Sequence, residues 1–118
     1  MKQRVKNISY LTKTVLNLSS LSTEKTDIVA IPLNAEILHI SIEITQAGDG
    51  GLNADFHLGS QEVGNDIDLS TKGTKVLSFV GTSNDIQSVS ITPSTKATQG
   101  EIVVRVMYFL PSEITAEY

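Results

Sequence analysis

Apolar and polar residues alternate strictly along the middle of the chain. Leu38, Ile40, Ile42 and Ile44 are interleaved with His39, Ser41, Glu43 and Thr45. A period of two places successive side chains on opposite faces of an extended strand, so this run predicts a strand with one dry and one wet face. Leu52, Ala54, Phe56 and Leu58 alternate in the same way with Asn53, Asp55 and His57. Between the two runs lies Ala47-Gly48-Asp49-Gly50-Gly51. Glycine tolerates positive φ and aspartate bonds its own backbone, so this cluster predicts a turn. Together the two runs read as a hairpin from Leu38 to Leu58 with its apolar faces together.

The same period recurs toward the C-terminus. Val76 to Val80 is a short, nearly continuous apolar strand. Val89 and Ile91 alternate with Ser88, Ser90 and Thr92, and Pro93 closes that strand because it has no N–H to give a ladder. After a polar loop from Ser94 to Gly100, a final strand carries Ile102, Val104, Val106 and Tyr108 on one face and Val103, Arg105, Met107 and Phe109 on the other. Both faces are largely apolar, which predicts a central strand or one covered by a neighbour. In the first third, Ile8 to Leu18 is rich in β-branched residues and forms one long or two short strands. Ser19 to Lys25 is a polar loop, with room for a short helix within Asn17 to Glu24, and Asp27 to Ile31 is a strand ended by Pro32. About eight strands separated by turn signals describe an all-β antiparallel sandwich or jelly roll. No segment carries an amphipathic helical stripe of useful length.

Composition narrows the reading. At 118 residues the chain fits one domain, 1–118, with 1–7 as a basic N-terminal arm and 111–118 as a C-terminal tail. The formal net charge is −4, so the basic excess that releases counterions from a phosphate backbone is missing, and nucleic acid is not an expected partner. The chain has no cysteine, which excludes disulfides, thiolate metal sites and a cysteine nucleophile. MKQRVKNISY is basic but lacks the apolar run of a secretory signal, and no stretch reaches the length of a membrane span. The expectation is a chain made and kept soluble in the cytoplasm unless it leaves as part of a particle, with no membrane partner.

Candidate chemistry is sparse. His39 and His57 fall on the wet faces of the two middle strands, where they could meet across a hairpin with Asp55 or Glu43 as further metal ligands. Two solvent-facing histidines on a sheet surface are the plainer reading. Asp49, Asp66, Asp68 and Asp85 sit in or near loops, and Asn65-Asp66-Ile67-Asp68 offers oxygens but lacks the spacing and closing glutamate of a calcium loop. The chain contains no GxSxG elbow, phosphate loop or dinucleotide-binding glycine pattern. A cupin-type enzyme needs clustered metal ligands inside its barrel, and two outward histidines do not supply them. No cofactor is expected. Of the aromatics, Phe56, Phe79 and Tyr108 read as core and Phe109 as an interface residue.

The middle of the chain resembles a known pattern. Ile31 to Ser60, IPLNAEILHISIEITQAGDGGLNADFHLGS, is similar to small jelly-roll proteins of tailed-phage particles. In these a Pro-x-Asn-Ala turn leads into a long alternating strand, a Gly-rich turn and a strand ending in Leu-Gly or Val-Gly. Thr98 to Tyr108, TQGEIVVRVMY, resembles their closing strand. The shared residues are structural, so no functional residue carries over.

Members of that group serve as capsid decoration or cement proteins, head fibres and tail or receptor-binding modules, and many are trimers. A lone small domain fits a decoration protein better than a fibre, because it has no attachment region or stalk. The resemblance implies a homotrimer on the capsid exterior whose partner is the major capsid protein. The candidate contact residues are Lys2, Arg4, Lys6, Val103, Arg105, Met107, Phe109, Ile114 and Tyr118. The alternative is a tail or fibre module that binds a receptor or glycan through the loops Gly48 to Gly51 and Thr95 to Gly100.

Overall fold

A computed structural model describes residues 8–110 apart from positions 78 and 84, and only the backbone of Ile8. Nine strands are found among the described residues. They are β1 (Ile8–Asn17), β2 (Thr26–Ile31), β3 (Glu36–Gln46), β4 (Asn53–Leu58), β5 (Gln61–Asp68), β6 (Gly73–Leu77), β7 (Gly81–Thr82), β8 (Gln87–Pro93) and β9 (Glu101–Leu110). One 3-10 turn, Leu18–Ser20, follows β1 and is capped by the Asn17 side chain, which accepts from the Ser19 N–H at 3.1 Å. This turn is the whole of the short helix expected between Asn17 and Glu24.

The strands form two antiparallel sheets. The larger has the order β1-β9-β3-β6, with two-residue β7 also pairing β3; the smaller has the order β2-β8-β4-β5. Apart from the β4–β5 hairpin, each long strand is followed by one in the opposite sheet. With β7 set aside, these are the two interleaved four-stranded sheets of a jelly roll. Each sheet turns one set of alternating residues inward. Ile40, Ile42 and Ile44 of β3, Ile102, Val104 and Val106 of β9, Ala54, Phe56 and Leu58 of β4, and Val89 and Ile91 of β8 are all at most 2% exposed. As expected, β9 is central, paired on one side with β1 and on the other with β3.

The expected hairpin from Leu38 to Leu58 does not form. β3 and β4 belong to different sheets, and their dry faces oppose each other across the core. Alternation alone fits both arrangements. The connection decides, because residues 47–52 cross from one sheet to the other instead of making a tight turn. The Gly48 N–H donates to the Leu69 carbonyl at 2.9 Å and the Leu69 N–H to the Leu52 carbonyl at 3.0 Å, which ties the crossing to the opposite sheet's end. A Cβ on Gly48 would lie 2.7 Å from the Leu52 side chain and 3.0 Å from the Leu69 carbonyl oxygen, a backbone atom with little room to give, so glycine favours this close approach.

The true hairpin joins β4 to β5. Leu58 pairs with Gln61 across the two-residue turn Gly59-Ser60, with Gly59 at φ +60°, as a type II′ turn requires at its first central position. β5 itself, Gln-Glu-Val-Gly-Asn-Asp-Ile-Asp, escaped the sequence reading because an edge strand rich in charge shows no clean alternation.

Two further expectations change. Leu38 is 41% exposed instead of inward. The β3–β9 register shifts between Ile37 and His39, so Leu38 is the extra residue of a bulge and Ile37 takes the inward place. The strand expected at Val76 to Val80 runs instead over Gly73–Leu77, with Leu77 buried, Val76 facing out and Val80 beyond its end at 73% exposed.

Candidate functional site: the outer face of the larger sheet

The outward residues of the larger sheet fall into transverse rows set by the strand register. Leu11 of β1 pairs with Met107 of β9, which pairs with His39 of β3. In the next row Lys13, Arg105, Ser41 and Val76 follow one another across β1, β9, β3 and β6. In the third, Val15, Val103, Glu43 and Thr74 do the same. Leu11 is 63% exposed, Val15 55% and Val76 61%, so the face shows large apolar side chains to solvent. Exposed apolar side chains gathered on one face are the mark of a contact surface.

One ion pair crosses this face diagonally. Arg105 Nη1 lies 2.7 Å from Glu43 Oε1, linking β9 to β3. Val103, between Val15 and Glu43 in its row, is buried. Met107 is 38% exposed and Phe109 half-buried. All four candidate contact residues on β9 thus share one face. The sequence reading missed Leu11, Lys13 and Val15, because the faces of β1 could be assigned only once its pairing with β9 was known. Lys2, Arg4, Lys6, Ile114 and Tyr118 lie outside the described residues.

At the far end of the same sheet Tyr10 and Tyr108 stack, with ring centroids 5.5 Å apart. Tyr108 and Phe56 belong to the core as expected, and Phe79 packs against it half-buried.

The histidines do not meet. His39 stands on the outer face of the larger sheet, and His57 is on β4 of the smaller one, beside Ser90 and Glu62 in register. The other proposed ligands are engaged elsewhere. Glu43 holds Arg105, and Asp55 Oδ1 accepts the Asp66 N–H at 2.8 Å. Among the described residues no three histidine, aspartate or glutamate side chains group around a common point.

The loop carboxylates act as local caps. Asp49 accepts from the Thr98 N–H at 2.7 Å and its hydroxyl at 2.6 Å, and Asp68 from the Ser70 N–H at 2.8 Å and its hydroxyl at 2.5 Å. These bonds favour the charged form and hold both carboxyls below the ordinary carboxylate value. Asp85 accepts from the Ile86 N–H at 2.8 Å. Asp66 sits at φ +50° in the β5 bulge, so the Asn65 to Asp68 run is an irregular edge strand, not an open ligand loop.

The chain is similar in three dimensions to chains of phage capsid structures. A chain in the acid-stable capsid structure of Helicobacter pylori bacteriophage KHP30 superposes with a TM-score of 0.72 at 25% identity, covering 100% of both chains. Structurally, the chain is similar to components of phage capsids. It has the fold and the extent of a small phage virion protein. A chain of the cyanophage Pam1 capsid matches with a TM-score of 0.64 at 14% identity, over 87% of this chain and 85% of that one. A chain of the Ralstonia phage GP4 capsid gives 0.57 at 11%, over 92% and 87%. No protein-family model and no curated protein matches the sequence.

Proposed function

We propose that the chain is a non-catalytic decoration or cement protein on the exterior of a phage head, where it bridges major capsid subunits as a homotrimer. The observation that carries this reading is the end-to-end correspondence with a whole chain of the KHP30 capsid. The outer face of the larger sheet supports it, since Leu11, Val15 and Met107 display apolar surface that a neighbour would cover.

The mechanism is mechanical. A specific contact buries about 1,600 Å² in total, and whatever binds only the assembled shell stabilises that shell by mass action. Rupture under internal pressure then requires losing those contacts first.

The receptor-binding alternative draws less support from the loops it needs. Residues 47–52 and 94–100 are clamped to each other by the Asp49–Thr98 bonds, and Leu52 and Ala97 are buried in the core. These loops close the end of the sandwich instead of presenting a free site.

Phage particles assembled without the chain provide the test. Such heads are expected to release DNA at a lower temperature than complete ones, and added purified protein should restore them. Antibody labelling that placed the protein on the tail, or depleted heads with unchanged heat resistance, would rule the reading out.

A further inference from the structure

A jelly roll has four edges, and here they are not alike. β5 carries Glu62, Asp66 and Asp68 and is broken by bulges. β2 has a register shift between Asp27 and Val29, and β6 is five residues long. Charge, irregularity and brevity are the usual means of blunting an edge against other chains. β1 uses none of them fully. Its ten residues pair with β9 from Ile8↔Leu110 to Asn17↔Glu101 without a shift, it contains no glycine or proline, and its one charge is Lys13. Its other side has no strand partner among the described residues and presents a row of backbone donors and acceptors beside the apolar outer face.

Lys13 indicates what would occupy that edge. It lies opposite Arg105 in register, and like charges in direct cross-strand pairs repel. Arg105 is answered by Glu43, whereas Lys13 has no anionic partner among the described residues. A second copy of β1 cannot provide one. Directly paired residues share a face, and the outward residues of β1 are Ser9, Leu11, Lys13 and Val15, none of them acidic.

Building on the capsid reading above, we propose that the free edge of β1 accepts an extended strand of the shell protein. That strand carries a carboxylate opposite Lys13 and apolar residues two positions to either side, opposite Leu11 and Val15. Main-chain bonds along the edge supply affinity, and the alternating side chains supply register.

The test uses heads of the phage assembled without this chain, to which the full-length protein is added. In the bound state about half of the β1 amides, those on its free side, should exchange more slowly than in the free protein. Lys13→Glu should weaken binding about tenfold, while the same charge change at exposed Lys72 leaves binding unaltered. Unchanged β1 exchange in the bound wild type, with Lys13→Glu binding as wild type does, overturns the strand addition and leaves the capsid role standing. Failure of the wild type to bind the heads at all overturns the capsid role itself. The exchange measurement on wild type decides the question even if Lys13→Glu does not fold.

Discussion

Ser90 Oγ is fully buried and has no hydrogen-bond partner among the described residues, and the neighbouring His57 Nδ1 is in the same state. A buried hydroxyl without a partner carries its desolvation cost uncompensated. Ser90→Ala should therefore be neutral or stabilising by up to about 1 kcal/mol, read as a higher urea midpoint at constant slope. Asp49 and Asp68 work in the opposite sense. Thr98 and Ser70 lower their carboxyl pKa in the folded chain, so their contribution is fully present above the unfolded carboxylate pKa of about 3.9. It is lost as pH falls through the lower folded values. Thermal melts from neutral pH downward should show a steeper acid loss for wild type than for the double variant Asp49→Asn/Asp68→Asn. Equal slopes would mean that these caps are energetically silent.

At the scale of elements, β4 is firmly embedded in the core. Ala54, Phe56 and Leu58 face inward, and Phe56 is 0% exposed. Phe56→Ala should cost about 3–5 kcal/mol in chemical denaturation, transfer and cavity terms together. The β4–β5 turn is a separate point of control. Gly59 has φ +60°, and a Cβ there would sit 3.1 Å from the Gln87 side chain. Gly59→Val should lose about 1–3 kcal/mol, more than a surface substitution costs, because strain and crowding add. Two faces of β3 and β4 were legible in the sequence, since a buried sheet face imposes a period of two. Their partners were not. Gly-rich residues 47–51 signal a change of direction, and nothing local distinguishes a return within one sheet from a crossing to the other. The bulge at Leu38 was equally hidden, because an extra residue shows only against the strand it pairs with.

For the whole molecule, the outer face of the larger sheet and the core make separable demands. Leu11 and Met107 are exposed, so charging them should leave folding nearly untouched, within about 0.5 kcal/mol. Binding to depleted heads should suffer far more if this face is covered on the particle. Leu11→Glu and Met107→Glu, made singly because the two residues pair directly across the strands, are each expected to keep the wild-type melting temperature and to bind heads at least about tenfold more weakly, measured by co-sedimentation. Undiminished co-sedimentation would move the contact surface elsewhere. The Arg105–Glu43 pair on this face is a lesser contributor, since both side chains remain about one-third exposed and solvent screens them.

The alternation of Ile40, Ile42 and Ile44, of Phe56 and Leu58, and of Ile102, Val104 and Val106 determined by itself that the chain is all-β with one continuous core. Burial of one sheet face is a local demand that every strand records in its own residues. The punctuation at Pro32, Pro93 and the 94–100 loop likewise needed no structure to be read, because proline and glycine act on their own backbone. Which strands lie side by side, and hence that Leu11, Lys13, Val15, Arg105 and Met107 share one face, is non-local. It depends on pairings such as Lys13↔Arg105, ninety-two positions apart in the sequence, that only the closed sandwich brings together. The two-sided apolar character of β9 had already pointed to a surface needing cover. The tertiary structure showed that β1 and β3 widen that surface and that β1 is an edge strand among the described residues.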